Sequence, residues 1–237
     1  MHLLVSPQTL SEALECVRGN ADIIDVKNPA EGSLGANFPW VIKEIRTNVP
    51  SHIPISATIG DVPFKPGTVA LAALGAANAG ASFVKVGLFG VKNTNEAVEI
   101  MCAVTRTRDK LTLPIAVVAA GYAEGKSIGS IDPLSIPKVA LESSSDYVMI
   151  DTYNKMNGKS LFDLLEFSDL KKFISSARKK KLGVALGGSI GLKHIPILKD
   201  LKPDIVGIRG AVCENGDRIK GTIKAKLITE FLEKLKD

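Results

Sequence analysis

Eight short apolar runs recur along the chain at near-regular intervals, and helix-spaced stretches separate them. The runs read Leu3–Ser6, Asp22–Lys27, Ile53–Ile59, Phe83–Leu88, Ile115–Ala120, Tyr147–Asp151, Gly183–Leu186 and Asp204–Ile208. Each is short and Val and Ile are common in them, as in strands covered on both faces. Between them, Pro7–Arg18 carries Leu10, Ala13, Leu14 and Val17, and Asn93–Arg108 carries Ala97, Ile100, Met101 and Val104. Leu170–Lys180 and Ile223–Leu235 repeat this helical stripe with Phe173, Ile174, Ala177 and with Leu227, Ile228, Phe231, Leu232. Parallel strands need a crossover of a dozen or more residues, and strand spacings of roughly 20–35 residues supply it.

Eight such units in 237 residues predict a closed (β/α)8 TIM barrel, one domain over residues 1–237. A doubly wound open sheet is the competitor, and it would carry a glycine fingerprint after its first strand. That turn reads Ser6-Pro7-Gln8-Thr9 instead. No linker or low-complexity stretch divides the chain.

Composition narrows the function. Cys16, Cys102 and Cys213 are too few and too scattered for a disulfide framework, and His2, His52 and His194 lie far apart. No metal is expected. No apolar run reaches a membrane span, and the first residues lack a secretory pattern, so a cytoplasmic protein with no membrane partner is expected. The net charge of +5 permits anionic partners without requiring them. Lys171, Lys172 and Arg178–Lys181 form a basic run, read here as a solvated helix face. Aromatic residues make up 5% of the chain and do not interleave with that run, which argues against a nucleic-acid partner. Trp40 is expected to pack at the start of a helix. Nothing in the sequence excludes a homo-oligomer.

In a barrel the chemistry sits at the carboxyl ends of the strands. Asp25 and Lys27 end the second run and share a strand face. Lys85 stands inside an otherwise apolar fourth run, and a charge in a central strand is costly unless paired. An edge strand could carry a solvated lysine, but a closed barrel has no edges. Lysines at such places suggest imine chemistry, which needs an amine of lowered pKa. Lys85 is expected to help keep Lys27 neutral, with Asp25 or Asp151 relaying protons; a helix cap is the plainer reading of Asp151. Gly188 and Ser189 follow the seventh run, and Arg209, Gly210 and Ala211 follow the eighth. These are the loops with which barrels often hold phosphate, the glycines letting backbone amides approach and the arginine adding charge.

The stretch Asp25-Val26-Lys27-Asn28-Pro29-Ala30-Glu31-Gly32-Ser33-Leu34-Gly35-Ala36-Asn37-Phe38-Pro39-Trp40 closely resembles the signature of the (5-formylfuran-3-yl)methyl phosphate synthase family. Gly60-Asp61-Val62-Pro63, Val84-Lys85-Val86-Gly87-Leu88, Val118-Ala119-Ala120-Gly121-Tyr122 and Gly188-Ser189-Ile190 extend the likeness over nearly the whole chain. The resemblance implies a barrel that condenses two molecules of glyceraldehyde 3-phosphate into a furan aldehyde phosphate, with no metal or organic cofactor. The product feeds methanofuran-type C1 carriers in methanogens and some methylotrophs. It further implies Lys27 as the imine-forming residue, Lys85 as the proton-transferring one, and Asp151 and Lys155 as catalytic partners after strand six. A class I aldolase or isomerase working on one sugar phosphate, or a non-catalytic phosphate-binding barrel, would share the lysines and loops.

Overall fold

The computed structural model describes residues 1–112 and 114–236. Its strands are β1 (His2–Val5), β2 (Ile23–Val26), β3 (Ile55–Thr58), β4 (Phe83–Gly87), β5 (Ala116–Tyr122), β6 (Tyr147–Asp151), β7 (Gly183–Leu186) and β8 (Ile205–Ile208). They form a closed barrel in chain order. All pair in parallel, and β8 returns to β1 with Leu3 opposite Val206 and Val5 opposite Ile208.

Around the barrel run α1 (Leu10–Arg18), α2 (Pro39–Asn48), α3 (Pro66–Asn78), α4 (Thr94–Arg108), α5 (Ile136–Glu142), α6 (Leu161–Leu164), α7 (Phe167–Lys179), α8 (Ile195–Leu201) and α9 (Ala225–Lys236). The helix expected from Pro7 begins only at Leu10, where Thr9 caps it by accepting from the Glu12 amide. None of the described helices is long and apolar enough to cross a membrane.

The strands look uniformly apolar, yet each is two-faced. Leu3, Val5, Ile24, Val26, Ile55, Val84, Val117, Val148, Val184 and Val206 belong to the layer between strands and helices. Leu4, Ile23, Val118, Ala120, Met149, Ala185 and Ile205 fill the barrel interior. The alternation is the period of two of an extended strand, with both faces buried. Odd and even residues of one strand therefore serve different cores, and the polar residues that break the pattern fall on the inner one.

Two expectations need correction here. β5 runs beyond Ala120 to Tyr122, which carries the tyrosine ring into the inner core. Trp40 lies in the first turn of α2 but does not pack inward. It is 67% exposed and stacks on Phe38 with ring centroids 4.6 Å apart.

Candidate active site

At the carboxyl ends of the strands five charged side chains converge. Asp25 comes from β2, Lys27 from the residue after it, Lys85 from β4, Asp151 from the end of β6 and Lys155 from the loop beyond. Asp25, Lys27, Lys85 and Asp151 are buried.

Asp25 shares a strand face with Lys27 but pairs with Lys85 instead. Lys85 Nζ donates to Asp25 Oδ2 at 2.6 Å, and the Ser6 hydroxyl donates to the same oxygen at 2.9 Å. Residues two apart on a strand share a face but lie about 6–7 Å apart along it, so Asp25 sits a layer deeper than Lys27. Asp25 does not line the cavity above, whereas Lys27 and Lys85 do. Asp151 ion-pairs with Lys155, whose Nζ also donates to Thr152 Oγ1 at 2.9 Å.

Three amines thus meet two carboxylates, and Lys27 is the amine without a carboxylate of its own. Its hydrogen bond is a long one, 3.4 Å, to the Ser33 carbonyl. Burial brings its pKa down to about 7. Asp151 opposes that shift, and the Lys85 and Lys155 charges reinforce it. The expected help from Lys85 is present but secondary to desolvation. The same cations hold the Asp151 carboxyl down to about 2 although burial pushes it up, so it stays ionised at neutral pH.

An amine near pKa 7 has a testable signature. With formaldehyde and cyanoborohydride, Lys27 should be the lysine most extensively methylated relative to its accessibility. Its rate should rise with pH through about 7 and level off above, because the neutral form is the nucleophile. Peptide mass spectrometry between pH 5.5 and 8.5 reads this directly. A rate still climbing at pH 9 would mean an ordinary lysine.

The cavity over these groups measures about 440 Å³. Lys27, Lys85, Asp151 and Lys155 line it, as do Gly188, Ser189, Gly210 and Ala211. Among the described residues none of these last four backbone amides donates to another protein group. Gly188 has φ +111°, and a Cβ there would stand 2.7 Å from Thr152 Cγ2, so the turn requires glycine. Gly210 is different, because a Cβ there would meet its nearest atom, Arg218 Cβ, at an ordinary 3.5 Å. Gly210→Val should therefore fold normally yet keep an anion from the amides. A rise of tenfold or more in the half-saturating concentration of a phosphorylated substrate is expected, with Tm nearly unchanged. An unchanged concentration would remove this loop from the site.

Arg209 does not supply the charge expected of it. Its guanidinium is buried and turned to Glu12 of α1, with Nη1–Oε2 at 2.9 Å and Nη2–Oε1 at 3.1 Å. It also donates to the carbonyls of Ser6 and Arg218. Glu12 in turn accepts from the Gln8 and Ile223 amides. Arg209 ties the loops after β1 and β8 to α1, and all but one of its donors are used.

Several contributors escaped the sequence reading. Arg218, in the loop after β8, lines the same cavity. Asp61 accepts from the Tyr122 hydroxyl and, at 3.1 Å, from the Leu34 amide. Burial raises the Asp61 carboxyl above its usual range, although the tyrosine bond opposes this. Ser33 Oγ donates to the Thr152 carbonyl at 2.7 Å, and Thr58 Oγ1 donates to the Gly35 carbonyl at 2.6 Å. These bonds pin the segment after β2 across the barrel mouth and hold the Ser33 carbonyl over Lys27. Asp61 and Tyr122 carried a signal, being polar residues at strand ends; Arg218 carried none. Among the described residues no three His, Cys, Asp or Glu side chains are placed to hold a metal ion.

Comparison with known proteins adds a family. The family described as 4-HFC-P synthase matches residues 3–232. A protein of Methanopyrus kandleri named (5-formylfuran-3-yl)methyl phosphate synthase is 52% identical over 233 residues, covering 98% of each chain. One of the same name from Methanocaldococcus jannaschii is also 52% identical, over 98% of this chain and 99% of its own. Among solved structures, 3-hexulose-6-phosphate synthase from Salmonella typhimurium superposes with a TM-score of 0.69 over 99% of this chain and all of its own. At 20% identity that likeness speaks to the fold alone.

Proposed function

Since the chain belongs to the 4-HFC-P synthase family, we propose that it condenses two molecules of glyceraldehyde 3-phosphate into (5-formylfuran-3-yl)methyl phosphate, releasing one phosphate and two waters, as a step toward methanofuran-type cofactors. It acts as a lyase through a lysine imine. The observation that carries this reading is Lys27, a buried amine with a pKa of about 7 and no carboxylate of its own at the cavity floor.

In this reading the neutral Lys27 amine attacks the aldehyde carbon of one triose and loses water to form an imine. The imine makes the neighbouring C–H acidic. Lys85, seated on Asp25, moves protons there, β-elimination expels the phosphate of this triose, and the terminal carbon so freed, now the nucleophilic end of an enol, bonds to the central carbonyl of the second triose in its ketose form. Ring closure and aromatisation then remove two waters, and hydrolysis of the imine, which consumes the water its formation released, frees the product and Lys27. The ionised Asp151 and its partner Lys155 serve the proton movements of elimination and ring closure. The amides of Gly188, Ser189, Gly210 and Ala211 hold a substrate phosphate, and Arg209 holds the loop of the last two in place. The fold contributes proximity, since two substrates must meet in one space.

Incubating the pure protein with glyceraldehyde 3-phosphate alone tests this. The expected result is a near-ultraviolet chromophore accumulating with one phosphate released per furan. A trapped borohydride adduct without chromophore or phosphate would leave an aldolase and overturn the synthase reading.

A further inference from the structure

A second cavity of about 510 Å³ lies beside the first at the barrel mouth. Lys155, Met156, Arg218 and Ile219 line both. Ser33, Ser127, Tyr153 and Asn154 line only the second. Its acid, Glu124, accepts from the Tyr153 amide at 2.8 Å and the Asn154 amide at 3.0 Å, so both of its oxygens are engaged.

Arg218 on the shared wall is half-buried, and among the described residues its guanidinium has no hydrogen-bond or ion-pair partner. The other arginines removed from water are served. Arg209 has Glu12, Arg46 has the carbonyls of Val49, Pro50 and Ile53, and Arg108 has Asp146. Neighbouring Asp217 does not pair with Arg218; its Oδ1 accepts the amides of Ile219 and Lys220. The Arg218 backbone is fixed by the bond from Arg209 Nε to its carbonyl, 3.0 Å. A guanidinium held in place, partly desolvated and unpaired presents five donors in a planar fork that matches a phosphate.

A condensation of two phosphorylated trioses needs two phosphate sites, because two such anions repel at short range. The glycine loops make one. Lys155 is committed to Asp151. We propose, resting on the two-triose reading above, that the second triose phosphate binds in the cavity walled by Ser33, Ser127, Tyr153 and Asn154, with its phosphate gripped by Arg218. Its carbonyl then points past Lys155 toward the adduct on Lys27. Arg218 is a binding residue for the second substrate and takes no part in forming the first imine.

Glycerol 3-phosphate, which has the phosphate but no aldehyde, tests the sites apart from the reaction. Calorimetry should find two sites on the wild type and one on Arg218→Gln. One site on both proteins, or none on either, overturns the proposal. Kinetics on glyceraldehyde 3-phosphate make the second arm. Arg218→Gln should keep the wild-type yield and concentration dependence of the single-triose borohydride adduct, while half-saturation of furan formation rises tenfold or more. Ser127→Trp, which narrows only the second cavity, should show the same split. Parallel loss of adduct and furan, or no change in either, assigns Arg218 elsewhere and overturns it. If the wild type binds two glycerol 3-phosphates but forms no furan, the failure lies with the synthase reading and not with this site.

Discussion

Lys27→Met is expected to abolish the trapped adduct, to cut furan formation by about 1,000-fold or more, and at the same time to raise Tm. The two effects have one cause. Lys27 has a pKa of about 7 in the folded chain against 10.5 for an ordinary lysine. Between those values the unfolded chain holds a proton that the folded chain has given up. Stability therefore rises with pH across that window, and the cost of Lys27 is fully present below about 7. At pH 7 that cost is on the order of a few kcal/mol. Methionine fills similar volume without the charge, so the gain in Tm should be largest at and below pH 7 and vanish above about 10.5. Asp151 keeps Lys155 as its counter-charge, so no carboxylate is orphaned. Thermal melts at pH 6, 7.5 and 9 measure the trend. A variant that is less stable at pH 6 would show that Lys27 is paired and charged in the native state.

Glu12→Ala is expected to cost about 3–5 kcal/mol, the penalty of leaving one partner of a buried ion pair alone. Glu12 and Arg209 are both nearly solvent-free, and the pair is bidentate. For a chain of this size 1 kcal/mol moves Tm by about 2–4 °C, so a fall of about 10 °C is expected. Removing both charges together, Glu12→Met with Arg209→Met, should recover most of it, since two apolar side chains leave nothing unpaired. Loss of the pair also frees the Arg218 carbonyl, so activity should fall further than stability alone explains. A Tm within 2 °C of wild type would mean that water reaches the pair.

The barrel was legible because its signal is repeated. Eight apolar runs with helical stripes between them satisfy one chain rule many times over, and a slip of one residue in any strand would exchange its inner and outer faces. Candidate site residues were legible for a related reason. Lys27, Lys85 and Asp151 are ionisable groups where the pattern demands apolar ones, and closure turns every strand end toward one mouth. The extension of β5 to Tyr122 was not legible, because Gly121 reads as a turn residue and only pairing with Ile150 of β6 makes it strand.

What the sequence alone determined is the set of charged groups and the end of the barrel they occupy. Which of them pair was decided by tertiary structure. Asp25 shares a strand face with Lys27 but bonds Lys85 from β4, and Arg209 sits in a loop expected to bind phosphate but bonds Glu12 of α1. Among the described residues Lys27 and Arg218 have no carboxylate as a hydrogen-bond or ion-pair partner. Ion pairing depends on separations of a few ångströms between side chains from strands and helices distant in the chain. Periodicity records which face a residue takes, and carries no term for the distance across the barrel between two residues on that face.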